Sequence, residues 1–199
     1  MDNKVITAIV VKSNDYKESD KMLRLFTANG QIINAVLKGV KKPNAKLKFC
    51  GQIFAFCEFT LAEKNGFYTI ANATQIENLF SITHDAISYS SGSLMLELSN
   101  NIATSMQGSA FFVELLKCFK AILYSNKCPL CTATYLIYNA LEMAGYCRLP
   151  SWLVDTTHDT LPQRQASETA FKALQHAMAK LERHLDVKLA SKAMLINYN

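Results

Sequence analysis

Two Asn-Gly dipeptides, Asn29-Gly30 and Asn65-Gly66, each sit between apolar segments, and they constrain this chain more than any other feature. Both residues of a two-residue hairpin turn must accept positive φ, which Asn and Gly do at least cost. The flanking segments are 21–28 (KMLRLFTA), 31–39 (QIINAVLKG), 52–62 (QIFAFCEFTLA) and 67–76 (FYTIANATQI). With the β-branched run 4–12 (KVITAIVVK) in front, the reading is a leading strand and two hairpins, a basic loop joining strands three and four. Five short strands in roughly 75 residues suit a small closed barrel, because closure removes exposed edges. OB-type and SH3-like barrels both satisfy the pattern.

Beyond "ENLFSITHD" the apolar period changes from two to between three and four. In 109–125, Phe111, Phe112, Leu115, Leu116, Phe119, Ile122 and Leu123 fall on one helical face. A weaker helix is expected over 84–104, where Ser90-Ser91-Gly92 lowers propensity. Pro129 marks the start of a further helix and Gly145 its stop. A closing helix is expected from Ser167 through Phe171, Leu174, Met178, Leu181 and Leu185, with Lys180, Arg183, Lys188 and Lys192 on its polar side. The expected architecture is α+β and multidomain: an N-terminal β-barrel over 1–78 and a C-terminal α-helical bundle over 79–199, with 147–166 as an irregular loop.

Charge is unevenly spread. Residues 1–50 carry ten Lys or Arg against four acids, whereas the whole chain has a net charge of only +5. Within "AVLKGVKKPNAKLKFCG" (35–51), Lys38, Lys41, Lys42, Lys46 and Lys48 fall inside eleven positions with no acid among them. Lys12 and Arg24, on neighbouring expected strands, extend this stripe. Such asymmetry suits a polyanionic partner, and barrel faces and loops are the usual oligonucleotide sites. A solvated surface turn is the plainer alternative. Phe49 and Tyr16 have the chemistry for base stacking, although packing is the commoner use of such residues.

Catalytic chemistry is hard to find. Cys128-x-x-Cys131 has only Cys147 and His158 to complete a zinc site, at irregular spacing and with a helix between. A redox reading wants a strand before the helix, and the preceding segment reads as helical. The expectation is therefore buried or half-buried thiols at a helix start, with no metal and no cofactor. Cys50, Cys57 and Cys118 lie in apolar surroundings and read as core. His84-Asp85 and His158-Asp159 lack any nucleophile signature, and seven glycines show no phosphate-cradling spacing. An enzyme is not expected. Neither a membrane span nor a secretion signal is legible. The expected location is cytoplasmic, nucleoid-associated when bound to DNA.

The run "VVKSNDYKESDKMLRLFTANGQIINAVLKGVKK" resembles the opening of the bacterial recombination mediator family RecO. The matching elements are Lys12, Asp15-Tyr16-Lys17-Glu18-Ser19-Asp20, Thr27, Gly30-Gln31-Ile32 and Lys38-Gly39-Val40-Lys41-Lys42. More loosely, "QIFAFCEFTL", "ALEMAGY" and "KALQHAMAKLERHLDVKLASKAML" are similar to later family segments. The resemblance implies an OB-fold followed by a helical domain, binding of single- and double-stranded DNA, strand annealing, and help in loading RecA onto strands coated by single-strand-binding protein. Implied partners are RecR and the C-terminal tail of the single-strand-binding protein. Many family members carry a four-cysteine zinc motif after "G-Y", where this chain has Cys147 alone; it reads as a short member lacking the metal. DNA contact is then expected from Lys12, Arg24, Lys38, Lys41, Lys42, Lys46 and Lys48. A protein-interaction scaffold, or an RNA-binding factor without annealing activity, is the alternative.

Overall fold

A computed structural model of the chain describes residues 3–102, 108–125, 127–153, 168–185 and 188–196. Two compact units emerge: the first holds the described residues up to Phe80 together with Gly108–Phe112, the second Ser81–Ile102 and the described residues from Val113 onward.

The first unit is a closed barrel of β1 (Asn3–Tyr16), β2 (Asp20–Thr27), β3 (Ile32–Leu37), β4 (Ala55–Lys64) and β5 (Phe67–Asn78). Strand order is β1-β2-β3-β5-β4, closed by antiparallel pairing of β1 with β4 and by a short parallel β3–β5 pair. This is the OB arrangement, and it removes the SH3-like option. Alternate residues fill the interior: Ile6, Ala8, Val10, Leu23, Leu25, Ile33, Ala35, Leu37, Cys57, Phe59, Leu61, Ile70 and Ala73. Their burial is the main force holding the barrel closed. On the outside, Phe26 and Phe56 pack on Phe112 with ring centroids 5.4 and 6.1 Å away, so the first turn of the second long helix covers that face.

Three local expectations need correction. The leading strand extends to Tyr16 rather than ending at 12, and a three-residue turn, with Lys17 at φ 55°, makes β1–β2 a hairpin too. Only Asn65-Gly66 has positive φ at both positions (52° and 77°). At Asn29-Gly30 the glycine alone does (79°): the Gly30 N–H donates to the Thr27 carbonyl at 2.8 Å, and the Gln31 N–H donates to Thr27 Oγ1 at 3.1 Å. The Thr27 side chain thus supports a longer loop that a dipeptide rule does not anticipate. Finally, β4 starts at Ala55, not 52, because Phe54 sits at φ 67° and its N–H is drawn to the Val10 carbonyl at 3.2 Å.

In the second unit, helix α1 (Ala86–Ile102) is capped by Asp85, whose Oδ2 accepts from the Ser88 N–H and hydroxyl at 2.8 and 2.7 Å. This N-capping satisfies orphan donors of the first turn and gives Asp85 a structural use. Helix α2 spans Gly108–Tyr124 and α3 Pro129–Met143. Gly145, at φ 79°, follows α3 in the left-handed position that helix termini favour. Helix α4 (Glu168–Leu185) packs on α3 through its buried Leu174, Met178 and Leu181. The closing helix is not continuous: α4 ends at Leu185, and Lys192 opens a separate α5 (Lys192–Ile196). Lys188 and Lys192 therefore do not decorate α4, and Lys192 instead pairs with Glu182 at 3.0 Å. Glu97 of α1 ties this segment down, accepting from the backbone N–H groups of Ala190 and Ser191 and from the Ser191 hydroxyl at 2.7, 2.8 and 2.6 Å. Ser167, His158 and most of the expected irregular loop lie outside the described residues.

Candidate nucleic-acid interface

The lysine loop lies between β3 and β4, and its composition alternates by depth. Val40 and Cys50 are buried, and Leu47 and Phe49 are partly buried against the barrel core. Lys38, Lys41, Lys42, Lys46 and Lys48 are exposed. The loop is a plug with an apolar underside and a cationic outer surface. Phe49 accordingly serves packing, as Cys50 does; burial pushes the Cys50 thiol up to about 12 and that of Cys57 up to about 11.

Both ends of the plug are fastened to the β1–β2 hairpin. Gly39, at φ 64°, ends β3; its N–H donates to Asp20 Oδ1 at 2.7 Å, and the Lys41 N–H donates to the Ser19 carbonyl at 3.0 Å. At the other end the Gly51 carbonyl accepts from Ser13 Oγ at 2.8 Å and from Lys21 Nζ at 3.0 Å. The loop is held, not merely solvated.

The lysines differ in what else they touch. Lys41 pairs with Asp15 at 2.9 Å, and that hydrogen bond, reinforced by the lysine charge, holds the Asp15 carboxyl below the ordinary aspartate value. Lys48 Nζ donates to the Pro43 carbonyl at 2.8 Å. Lys38, Lys42 and Lys46 make no ion pair among the described residues.

Lys12 and Arg24 form the second part of the basic surface. They are directly opposed across β1 and β2, and Asn34 of β3 is opposed to Arg24 on its other side. Because Leu23 and Leu25 fill the interior, Arg24 points outward. Lys12 is exposed; Arg24 is half-buried, and its Nε is buried without a hydrogen-bond partner. Reading by charge count passed over Lys17 and Lys21, since Asp15, Glu18 and Asp20 cancel them in sequence. Lys17 Nζ stands 5.4 Å from the Tyr16 ring centroid, and Tyr16 is exposed.

Among the described residues no group of three or more His, Cys, Asp or Glu is placed to hold a metal ion; His158, one candidate ligand, lies outside them. None of the described helices is long and apolar enough to cross a membrane.

Strand order and the outward basic residues define a protein built on an OB-type barrel. The family model for the recombination protein O N-terminal domain matches residues 1–79. Residues 1–79 are thus similar to the N-terminal domain of recombination protein O. It is 29% identical over 109 residues to the DNA repair protein RecO of Heliobacterium modesticaldum, covering 55% of this chain and 40% of that one. To the protein of the same name from Listeria monocytogenes serotype 4b it is 31% identical over 107 residues, covering 54% and 42%. With that of Acetivibrio thermocellus the match is 25% over 144 residues, covering 70% and 56%. The matched part thus spans about half the length of these relatives.

Proposed function

We propose that this chain is a non-enzymatic recombination mediator of DNA repair, binding single- and double-stranded DNA through the barrel (1–78) and docking protein partners through the helical part (79–199). The observation that carries it is the anchored lysine plug beside the Lys12–Arg24 pair, in a domain whose named relatives are DNA repair proteins. Lys38, Lys42 and Lys46 would meet phosphates as free ammonium groups, with Lys12 and Arg24 continuing the track. Lys41 and Lys48 would join after exchanging their internal partners. Screening the repulsion between two strands and holding their backbones close suffices for annealing, with no covalent step. RecR, the tail of the single-strand-binding protein and the loading of RecA follow from the resemblance to RecO and belong to this proposal.

Fluorescence anisotropy of labelled single-stranded DNA across a salt series tests it. Five released contacts (Lys12, Arg24, Lys38, Lys42, Lys46) give an expected slope of log affinity on log salt of about −3.5 for a single strand. A slope near zero, or no binding at low salt, would reject the reading. The internal engagement of Lys41 and Lys48 favours a second reading, a protein-interaction scaffold whose lysines only solubilise the plug, and that reading expects the flat salt response. Preference for A-form RNA over DNA in the same assay would point to the RNA-binding alternative.

A further inference from the structure

Cys128 is the N-cap residue of α3, Pro129 its first helical residue, and Cys131 the third. The N-cap and third helical positions lie on one first turn, where in a capping box the side chain of each reaches the backbone of the other. Here both positions carry thiols. Both cysteines are free; Cys128 is buried and Cys131 half-buried. Metal binding would need further ligands, and the described residues supply no such group around them. Cys147 lies past the far end of α3, a 15-residue helix about 22 Å long.

We propose that Cys128 and Cys131 are a redox-active dithiol that closes to an intramolecular disulfide by exchange with a small-molecule disulfide of the glutathione class. The sulfur of Cys131, the more exposed of the two residues, attacks one sulfur of the small disulfide. A protein–glutathione bond forms, the small disulfide breaks and a thiolate leaves, while the Cys131 proton passes to Cys128. Cys128 then attacks the Cys131 sulfur and expels the second thiolate, which takes up the Cys128 proton. Two protein thiols are oxidised and one disulfide is reduced to two thiols. The Cys131 thiol stabilises a thiolate on Cys128, lowering the Cys128 pKa and raising that of Cys131, so Cys128 is placed as the base that takes the Cys131 proton during the attack. The sulfurs share one proton most readily, which keeps a proton acceptor beside the Cys131 sulfur near neutral pH. Cys50 and Cys57, whose thiols are raised by burial, and the deeply buried Cys118 serve as inert internal controls. Sequence spacing alone argues against a redox role, because the usual context is a strand before the helix; the helix start puts both thiols on one turn without one.

The test incubates the reduced full chain in reduced and oxidised glutathione mixtures, quenches with acid, alkylates, and maps cysteines by fragmentation mass spectrometry. Expected is a loss of two hydrogens located between Cys128 and Cys131, rising with the oxidised fraction, while Cys50, Cys57 and Cys118 stay alkylatable only after unfolding. Cys128→Ser should trap glutathione on Cys131, with helical circular dichroism retained. Stable glutathione on Cys131 in the unsubstituted chain, or a link preferentially to Cys147, would overturn the proposal. So would complete resistance of both thiols in fully oxidised buffer.

Discussion

Lys12 and Arg24 stand directly opposite one another across β1 and β2, two cations paired where the strands are in register. They meet because the register shifts between Val10 and Lys12, leaving Val11 as an extra residue. Ile6, Ala8 and Val10 point into the barrel, so unbroken alternation would put Lys12 inside as well. The bulge turns it outward.

Like charges directly opposite destabilise a strand pair, and the unpartnered Arg24 Nε adds to the cost. Arg24→Thr is expected to raise stability by about 0.2–1 kcal/mol while lowering single-stranded DNA affinity several-fold and reducing the salt slope by about 0.7. Urea unfolding and anisotropy measure the two effects. A variant that loses stability and keeps its affinity would show that Arg24 is a packing residue.

Lys38, Lys41 and Lys42 leave the plug on its outer surface, away from the apolar underside of Val40, Leu47 and Phe49. Changing all three to Glu should abolish single-stranded DNA binding at physiological salt. The circular dichroism spectrum should be unchanged. Unaltered affinity would remove this loop from the interface.

Asp15 has its carboxyl held below the ordinary aspartate value by Lys41. A lowered carboxylate pKa contributes stability that is present above the unfolded value and is lost as pH falls through the folded one. Both partners reach solvent, so this contribution is small. In an NMR titration Asp15 should show a midpoint below 3.8, returning towards that value in Lys41→Ala. Asp15→Asn should release Lys41 and tighten single-stranded DNA binding about twofold, the gain vanishing at high salt. Weaker binding in Asp15→Asn would contradict the assignment of Lys41.

Gly30 and Gly108 approach backbone to backbone; a side chain at either would collide with the other's main chain. Neither wall is a flexible side chain, so the collision is relieved only by moving the loop or the start of α2. Gly108→Ala is expected to cost about 1–3 kcal/mol, read as a lower urea midpoint. Gly30→Ala should cost more, since it also forces a side chain into positive φ. An unchanged midpoint in Gly108→Ala would mean that this contact does not persist in solution.

Glu97 is a single carboxylate serving three donors of the 190–191 segment. Glu97→Ala should destabilise the chain by about 1.5–3 kcal/mol, the range for hydrogen bonds to a charged group. Hydrogen exchange should quicken at Ala190 and Ser191 before it does in α1. Equal exchange in both chains would show that packing of Leu189 and Leu195 holds the segment by itself.

The strands, the four long helices and the charge of the loop were legible in the residues because each depends on neighbours within a few positions. β-Branched runs, the Asn65-Gly66 turn, the Pro129 start and the Phe111–Leu123 face all act locally. Interactions between distant residues were not legible. No local pattern announces that Val11 is skipped in pairing, that Gly30 meets Gly108, or that the Gly51 carbonyl draws in Lys21. The closing helix misled for the same reason: apolar residues continue past Leu185, but Glu97, more than ninety residues earlier, claims the backbone N–H groups of 190 and 191. Sequence by itself determined that this chain would carry a basic loop beside a β-barrel. Tertiary structure decided which lysines face outward unpaired, because hydrogen bonds and close packing between remote segments fix where each side chain can point.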